Sequence, residues 1–413
     1  MNNKHYPIVI VGGGPAGATT SMYLTNFGIA HAIVEKGVFP RDKVCGDAVS
    51  GKGLDVIAKL HKDALLKFSE DRTQSLDTYG IQFVAPNGKG VDIPFPPPKA
   101  DLPVGFLSKR LDFDTFLWDL SNSALSTKIQ GFTAKKIEYT TNVVRCELSN
   151  QSETINITCD LIIGADGNQS VVSKYLSNNK HDDNHFCGGI RAYYSGVEGL
   201  HKQNFLELIF LPELLPGYFW IFPLTNGTAN VGMGMLSADI KKRKVNMRKS
   251  LQEVIANNPQ IAWRFKNAIL EGRIEGCGLP LGSKLQPMSG DKFLLTGDAA
   301  NLIDPFTGEG IGNAIVSGMV AARHAKRALD EKDTSAINLL KYDKEIKHKF
   351  KKELMLSYRI QRLTKLPKLF NIVVGKIHGS KELQYVFTNM FTDMDLRAKM
   401  KNPLFYVKLL FAK

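Results

Sequence analysis

Residues 7–35 constrain the fold of this chain more than any others. Pro7-Ile8-Val9-Ile10-Val11 is a β-branched run of the kind that forms a buried parallel strand, and it leads directly into Gly12-Gly13-Gly14-Pro15-Ala16-Gly17. Ala18 to Phe27 then reads as a helix closed by Gly28, and Ala30-His31-Ala32-Ile33-Val34 as a second strand ending at Glu35. Between strand and helix, the three glycines of G-x-G-x-x-G have separate tasks. Gly12 permits the tight turn, Gly14 lets a pyrophosphate approach the backbone, and Gly17 allows helix and strand to pack closely. Pro15 and Ala16 open the helix, whose first amides and positive dipole end suit a phosphate. Glu35 follows Gly14 by 21 residues, where a carboxylate can accept hydrogen bonds from ribose hydroxyls. The pattern predicts a Rossmann-like α/β domain that binds a dinucleotide, with NAD and FAD both open at this point.

Two distant segments bear on that choice. Asp160-Leu161-Ile162-Ile163-Gly164-Ala165-Asp166-Gly167 reads as a buried strand and turn followed by a short helix. Phe293-Leu294-Leu295-Thr296-Gly297-Asp298-Ala299-Ala300 reads the same way, and Asp304-Pro305-Phe306-Thr307-Gly308-Glu309-Gly310-Ile311 then opens a long helix reaching about Leu329. Each alone is an ordinary strand and turn with an aspartate as turn former. Their order after the glycine fingerprint is far more specific. In that order the chain resembles the p-hydroxybenzoate hydroxylase-like superfamily of FAD-dependent oxidoreductases, and within it the geranylgeranyl reductase family. The resemblance implies FAD as cofactor, with Asp166, Asp298, Pro305 and Gly308 among the residues that bind it. It further implies Asp298 near the ribityl-pyrophosphate and Gly310 and Ile311 at the flavin pyrimidine. A helix N-terminus aimed there would stabilise the negative charge of reduced flavin.

Two further stretches narrow the resemblance. Lys43-Val44-Cys45-Gly46-Asp47-Ala48-Val49-Ser50 is similar to the family's K-x-C-G-D-A-V-S loop, which implies Cys45 beside the flavin and contacts from Lys43, Gly46 and Ala48. Tyr218-Phe219-Trp220-Ile221-Phe222-Pro223 is similar to its Y-x-W-x-F-P signature, which implies that Tyr218, Trp220 and Phe222 line an isoprenoid pocket. Arg110 matches the start of an FAD-contacting helix, and Ala134 falls where a backbone contact to the adenine side is usual. The likeness spans about residues 6–330. Cys45 is a candidate catalytic residue only, since no general base stands nearby, and a free cysteine is commonly a small buried hydrophobe. Tyr218, Trp220 and Phe222 alternate on one strand face, which suits an extended apolar ligand or plain sheet packing.

Composition excludes other classes. The five cysteines are scattered without a C-x-x-C, and the nine histidines form no H-x-x-x-H, so neither a disulfide framework nor a metal site is expected. No apolar run approaches a membrane span, and no secretory leader is evident, so a cytoplasmic location is expected. Lys341 to Lys413 hold 17 Lys and Arg against 6 Asp and Glu, which is +11 of the chain's net +13. These basic residues alternate with aliphatics, as in Leu366–Val374 and Leu404–Phe411. Nucleic acid is therefore not the expected partner. Two readings of the tail stand: peripheral contact with the inner face of an anionic membrane, or a basic helix packed on the body. Ile346, Phe350, Leu354 and Tyr358 recur every four positions and mark an amphipathic helix that Pro367 should end or kink.

The expected architecture is a discontinuous FAD-binding domain (1–78, 106–185 and 276–333) with an inserted, mainly antiparallel substrate-binding β domain (79–105 and 186–275). A basic helical tail follows over 334–413. The expected function is hydride transfer from reduced flavin to carbon-carbon double bonds of a polyprenyl lipid. NADPH or a small redox protein would be the electron donor, since no second nucleotide fingerprint exists. An FAD-dependent monooxygenase acting on an aromatic or apolar small molecule is the alternative, because the scaffold is shared. A flavin halogenase lacks its W-x-W-x-I-P signature here, and a non-enzymatic flavin-binding protein is the reading from a different class.

Overall fold

The β-branched N-terminal run forms the strand Lys4–Val11 in the middle of an eight-stranded sheet. The computed structural model describes residues 4–96, 101–140, 142–380 and 384. Phe293–Leu295, Thr154–Gly164, Lys4–Val11, His31–Glu35 and Ser126–Gln130 lie side by side and parallel. Ser289–Gly290 joins one edge antiparallel, and the hairpin Thr133–Tyr139 with Val144–Ser149 branches antiparallel from Thr154–Gly164. Ile8, Val9, Ile10, Ile162 and Ile163 have no exposed surface, as expected for strands covered on both faces. The helices Pro15–Asn26 and Ile311–Asp330 cross so closely that a Cβ at Gly318 would stand 2.4 Å from the Ala16 carbonyl oxygen.

A second sheet has seven strands in the order Ile269–Pro280, Phe186–Ser195, Thr228–Leu236, Tyr218–Pro223, Leu206–Ile209, Gly80–Val84 and Gly90–Pro94. All neighbours are antiparallel except Leu206–Ile209 with Gly80–Val84. Period-two alternation separates its faces: Phe219 and Ile221 enter one apolar cluster, Trp220 and Phe222 another. A small third sheet joins Ala48–Ser50, Gly105–Leu107 and Leu76–Asp77. The α/β class with a parallel sheet, antiparallel sheets and a helical C-terminal region is therefore as expected.

The tail differs in detail from the sequence expectation. Ala336–Leu363 is one helix whose Leu339, Tyr342, Ile346, Phe350 and Leu354 are buried in the main core. It ends at Leu363, and Pro367 neither kinks nor ends it but opens a separate helix, Pro367–Gly379. At a first helical position the missing N–H has no partner to lose. Phe370, Val373, Val374 and Ile377 of that helix pack into the cluster of Trp220 and Phe222, with Phe370 4.9 Å from the Phe210 ring. Most of the apolar content in Leu366–Val374 is thus turned into the protein, leaving Leu366 and Ile372 exposed. Leu404–Phe411 lies outside the described residues. No helix among the described residues is long and apolar enough to cross a membrane.

Candidate active site

The glycine turn has the geometry its spacing calls for. Gly12 has φ +104°, and a Cβ on it would meet the Ala165 carbonyl oxygen at 2.3 Å. A Cβ on Gly17 would sit 1.8 Å from the Gly12 oxygen, so strand, turn and helix can close only on glycine. Gly14 differs: a Cβ there would find nothing nearer than 3.8 Å, which leaves the space before the helix open to a ligand. The helix start at Pro15 has no side-chain cap and no acidic residue in its first turn, so its amides remain available to an anion. Glu35 accepts hydrogen bonds from the amides of Gly13 (2.8 Å) and Gly37 (2.9 Å), which fixes its carboxylate beside the turn.

Arg41 and Arg110 extend this end of the site. Arg41 reaches Glu35 at 3.3 Å and Asp114 at 2.7 Å, while Arg110 holds Asp114 through Nε and Nη2 at 2.5 and 2.7 Å. Burial alone would raise the Asp114 carboxyl, but the Arg110 guanidinium overcomes it and keeps the group below the usual carboxylate range. Sequence reasoning missed Arg41 and Asp114, whose positions carry no local motif.

A cavity of about 620 Å³ runs from this turn toward the seven-stranded sheet. Pro15, Lys43, Cys45, Gly46, Ala48, Arg110, Asp298, Gly308, Gly310 and Ile311 all border it, as do Tyr218, Trp220 and Phe222. Lys43 Nζ lies 3.3 Å from Asp298 Oδ2, joining motifs far apart in sequence. Tyr218 donates its hydroxyl to the Thr307 carbonyl at 2.6 Å, which ties the aromatic strand to the loop before the helix Ile311–Asp330. The aromatic face continues into Ile81, Leu206 and Leu208, so this end of the cavity is apolar.

The structure does not bring every expected residue to the cavity. Ala134 is buried in the core opposite Leu148, away from its walls. Asp166 caps a helix instead, its Oδ2 accepting from the amides of Val171 (2.6 Å) and Val172 (3.3 Å). Pro305 offers its carbonyl to Gln361 Nε2 at 2.7 Å. Gly12, Ala16, Gly17 and Glu35 stand behind the wall and shape the turn.

Two carboxyl groups escaped the sequence reading of the site. Asp47 is fully buried at φ +65°, and its Oδ2 accepts from Tyr193 Oη and Asn230 Nδ2, both at 2.8 Å. Burial pushes this carboxyl up to about 6 against the pull of those two bonds. Glu309, on the loop before the helix Ile311–Asp330, accepts from the Gly312 amide at 2.6 Å and the Ser50 hydroxyl at 3.0 Å. Burial raises its carboxyl above the ordinary glutamate range. Cys45 is also raised by burial, with Arg110 opposing, so its resting form is the thiol. Among the described residues no group of three or more His, Cys, Asp or Glu is placed to hold a metal ion.

Comparison with known proteins agrees with this geometry. Residues 5–58 match the model of an FAD-binding domain, and residues 189–272 match that of the geranylgeranyl reductase catalytic domain. Over these two segments the chain is similar to the geranylgeranyl reductase family. Among curated relatives of this FAD-dependent oxidoreductase, a digeranylgeranylglycerophospholipid reductase of Thermoplasma acidophilum is 28% identical over 84% of this chain and 85% of its own. A menaquinone reductase of Mycobacterium tuberculosis is 28% identical over 80% of this chain and 78% of its own. In fold, the chain is similar to a geranylgeranyl bacteriochlorophyll reductase-like protein of T. acidophilum (TM-score 0.79, 23% identity, covering 96% and 99% of the two chains). It is also similar in fold to a flavin-dependent brominase (TM-score 0.79, 18% identity, covering 98% and 99%).

Proposed function

We propose that this enzyme saturates carbon-carbon double bonds in the isoprenoid chain of a lipid. The observation that carries the reading is the junction of the open glycine turn with the aromatic face of Tyr218, Trp220 and Phe222 in one cavity. Gly14, Pro15 and the following amides would hold the pyrophosphate of FAD, with Glu35 bracing the turn from behind. Lys43, Asp298, Gly310 and Ile311 would hold the flavin half. Bound there and reduced, FAD supplies hydride. The chain's own residues then have three tasks: the aromatic face orients an extended alkene, the apolar walls exclude water, and a protein acid delivers the matching proton. The curated relatives named as reductases of a digeranylgeranyl phospholipid and of menaquinone support this substrate class. A lipid substrate also favours peripheral contact with a membrane through the basic C-terminal segment, at the cytoplasmic face.

The test is anaerobic incubation of dithionite-reduced enzyme with a lipid extract, followed by mass spectrometry. Mass gains of two hydrogens per double bond are expected. Products that appear only with oxygen and carry one added oxygen atom would overturn the reading in favour of a monooxygenase.

A further inference from the structure

The reduction needs a proton donor, and the sequence motifs name none. Beyond the nucleotide end, a polar cluster interrupts the apolar cavity wall where the helices Gly51–Glu70, Ile311–Asp330 and Ala336–Leu363 meet. Its inner member is Glu309, partly exposed at the cavity wall and fixed through one oxygen by the Gly312 amide and the Ser50 hydroxyl. Its outer members are Lys52, whose Nζ donates to Asn313 Oδ1 at 2.8 Å and lies 3.3 Å from Glu353 Oε2. Both Lys52 and Glu353 border the same cavity and keep solvent exposure.

We propose that Glu309 is the acid that protonates the alkene, and that the Lys52–Glu353 pair returns its proton from solvent. The inference rests on the reductase reading above. The alkene π bond breaks. One carbon takes hydride from reduced FAD, the two-electron reductant, and the other takes the proton of the Glu309 carboxyl. The Glu309 O–H bond breaks and its electron pair stays on oxygen, leaving the carboxylate to accept a fresh proton by way of Ser50 or Lys52.

Three features of the structure favour Glu309 over its neighbours. Asp47 shows no exposed surface, and its Oδ2 is already taken up by Tyr193 and Asn230. Asp304 is enclosed as well, accepting from the amides of Phe306 and Thr307 and from the Ser357 hydroxyl. All three border the cavity, but Glu309 alone of them keeps partial exposure, with the half-exposed Lys52 beside it leading to solvent. Gly312 makes the arrangement possible, because a Cβ there would stand 2.4 Å from Ser50 Oγ and 2.6 Å from Glu309 Oε1. The charged and titratable groups that face Glu309 are Lys52 from one helix, Glu353 from the tail helix, Asp304 from its own loop and Tyr218 from the aromatic strand. Burial is the main influence on the Glu309 carboxyl and raises it; Lys52 opposes and Asp304 reinforces.

Glu309→Gln keeps the size and the acceptor for the Gly312 amide but has no acidic proton. Single-turnover lipid reduction by the prereduced variant should fall by about 10²-fold or more. FAD affinity should stay within about twofold of wild type, and Glu309→Asp should restore part of the rate. Independently of turnover, infrared titration of the apoprotein should show a protonated-carboxyl band, titrating above the ordinary glutamate range, that is absent from Glu309→Gln. Wild-type reduction rates in Glu309→Gln, an unchanged infrared titration, or loss of FAD in step with loss of rate would each overturn the assignment. A wild-type enzyme that leaves prenyl lipids unreduced would overturn the reductase reading and this step with it, whereas an active Glu309→Gln removes this step alone.

Discussion

Asn230, on the strand Thr228–Leu236, donates its side-chain amide to Asp47 at 2.8 Å, and so ties the seven-stranded sheet to the loop that carries Cys45. The same amide donates to the Cys45 carbonyl at 2.7 Å, while Asn230 Oδ1 accepts from Trp220 Nε1 at 2.9 Å. One buried side chain thereby sets the loop, the acid and an aromatic wall of the cavity together. Replacing it with leucine leaves the Trp220 N–H and one donor to Asp47 unmade. Each orphaned buried group costs on the order of 1–3 kcal/mol. Asn230→Leu is expected to lower the thermal midpoint and shift the Trp220 emission, and a wild-type melt would refute the coupling.

Asp47 makes stability depend on pH in a direction opposite to most carboxylates. Its folded value of about 6 lies above the 3.8 of an ordinary aspartate, so the folded state holds the proton more tightly and stability falls as pH rises between those values. By linkage the loss approaches about 3 kcal/mol at neutral pH. Asp47→Asn keeps an acceptor for Tyr193 and Asn230 and tolerates the positive φ. Urea titrations should therefore show the variant gaining on wild type from pH 4 to pH 7. Parallel curves for the two proteins would contradict the burial argument.

Gly14 and Gly17 should respond differently to substitution, although both belong to one fingerprint. Gly17→Ala forces a contact of 1.8 Å on the Gly12 oxygen and is expected to unfold the domain. Gly14→Ala places a Cβ in ordinary contact with Arg41 and Arg110 at 3.8 Å and should melt like wild type, yet bind FAD at least about tenfold weaker because the methyl stands in the phosphate approach. Circular dichroism and flavin fluorescence titration separate the two. Equal FAD affinity in Gly14→Ala would mean that the phosphates do not pass residue 14.

The last described helix should behave as part of the body. Phe370→Ala removes a ring packed on Phe210 and is expected to cost about 3 kcal/mol in urea unfolding. Truncation after Ser380 should reduce co-sedimentation with anionic vesicles. Equal vesicle binding by both forms would remove the membrane role of the C-terminal segment.

The nucleotide turn was legible because its requirements are local. Gly12 answers to its positive φ and Gly17 to a contact with the Gly12 oxygen inside one strand-turn-helix unit, so neighbouring residues carry the pattern, although the Ala165 carbonyl that also crowds Gly12 comes from far along the chain. The aromatic strand Tyr218–Pro223 was legible through period-two alternation. The fate of the tail was not, because a helix with Phe370, Val373 and Val374 on one face reads the same whether a bilayer or a sheet covers it. Asp166 and Pro305 look like ligand residues in their motifs, but what they bond is fixed by Val171, Val172 and Gln361, which approach through the fold.

The sequence by itself thus determined the chemistry that a short stretch of backbone must support: a turn open to phosphate, strands buried on both sides, and an aromatic strand face. The tertiary structure alone decided which acids share the cavity, since Asp47, Asn230 and Tyr193, or Glu309, Ser50 and Lys52, come from segments far apart in the chain. The reason is physical. A backbone conformation depends on neighbouring residues, whereas a carboxyl group's proton affinity depends on how much water and which charges the whole fold leaves around it.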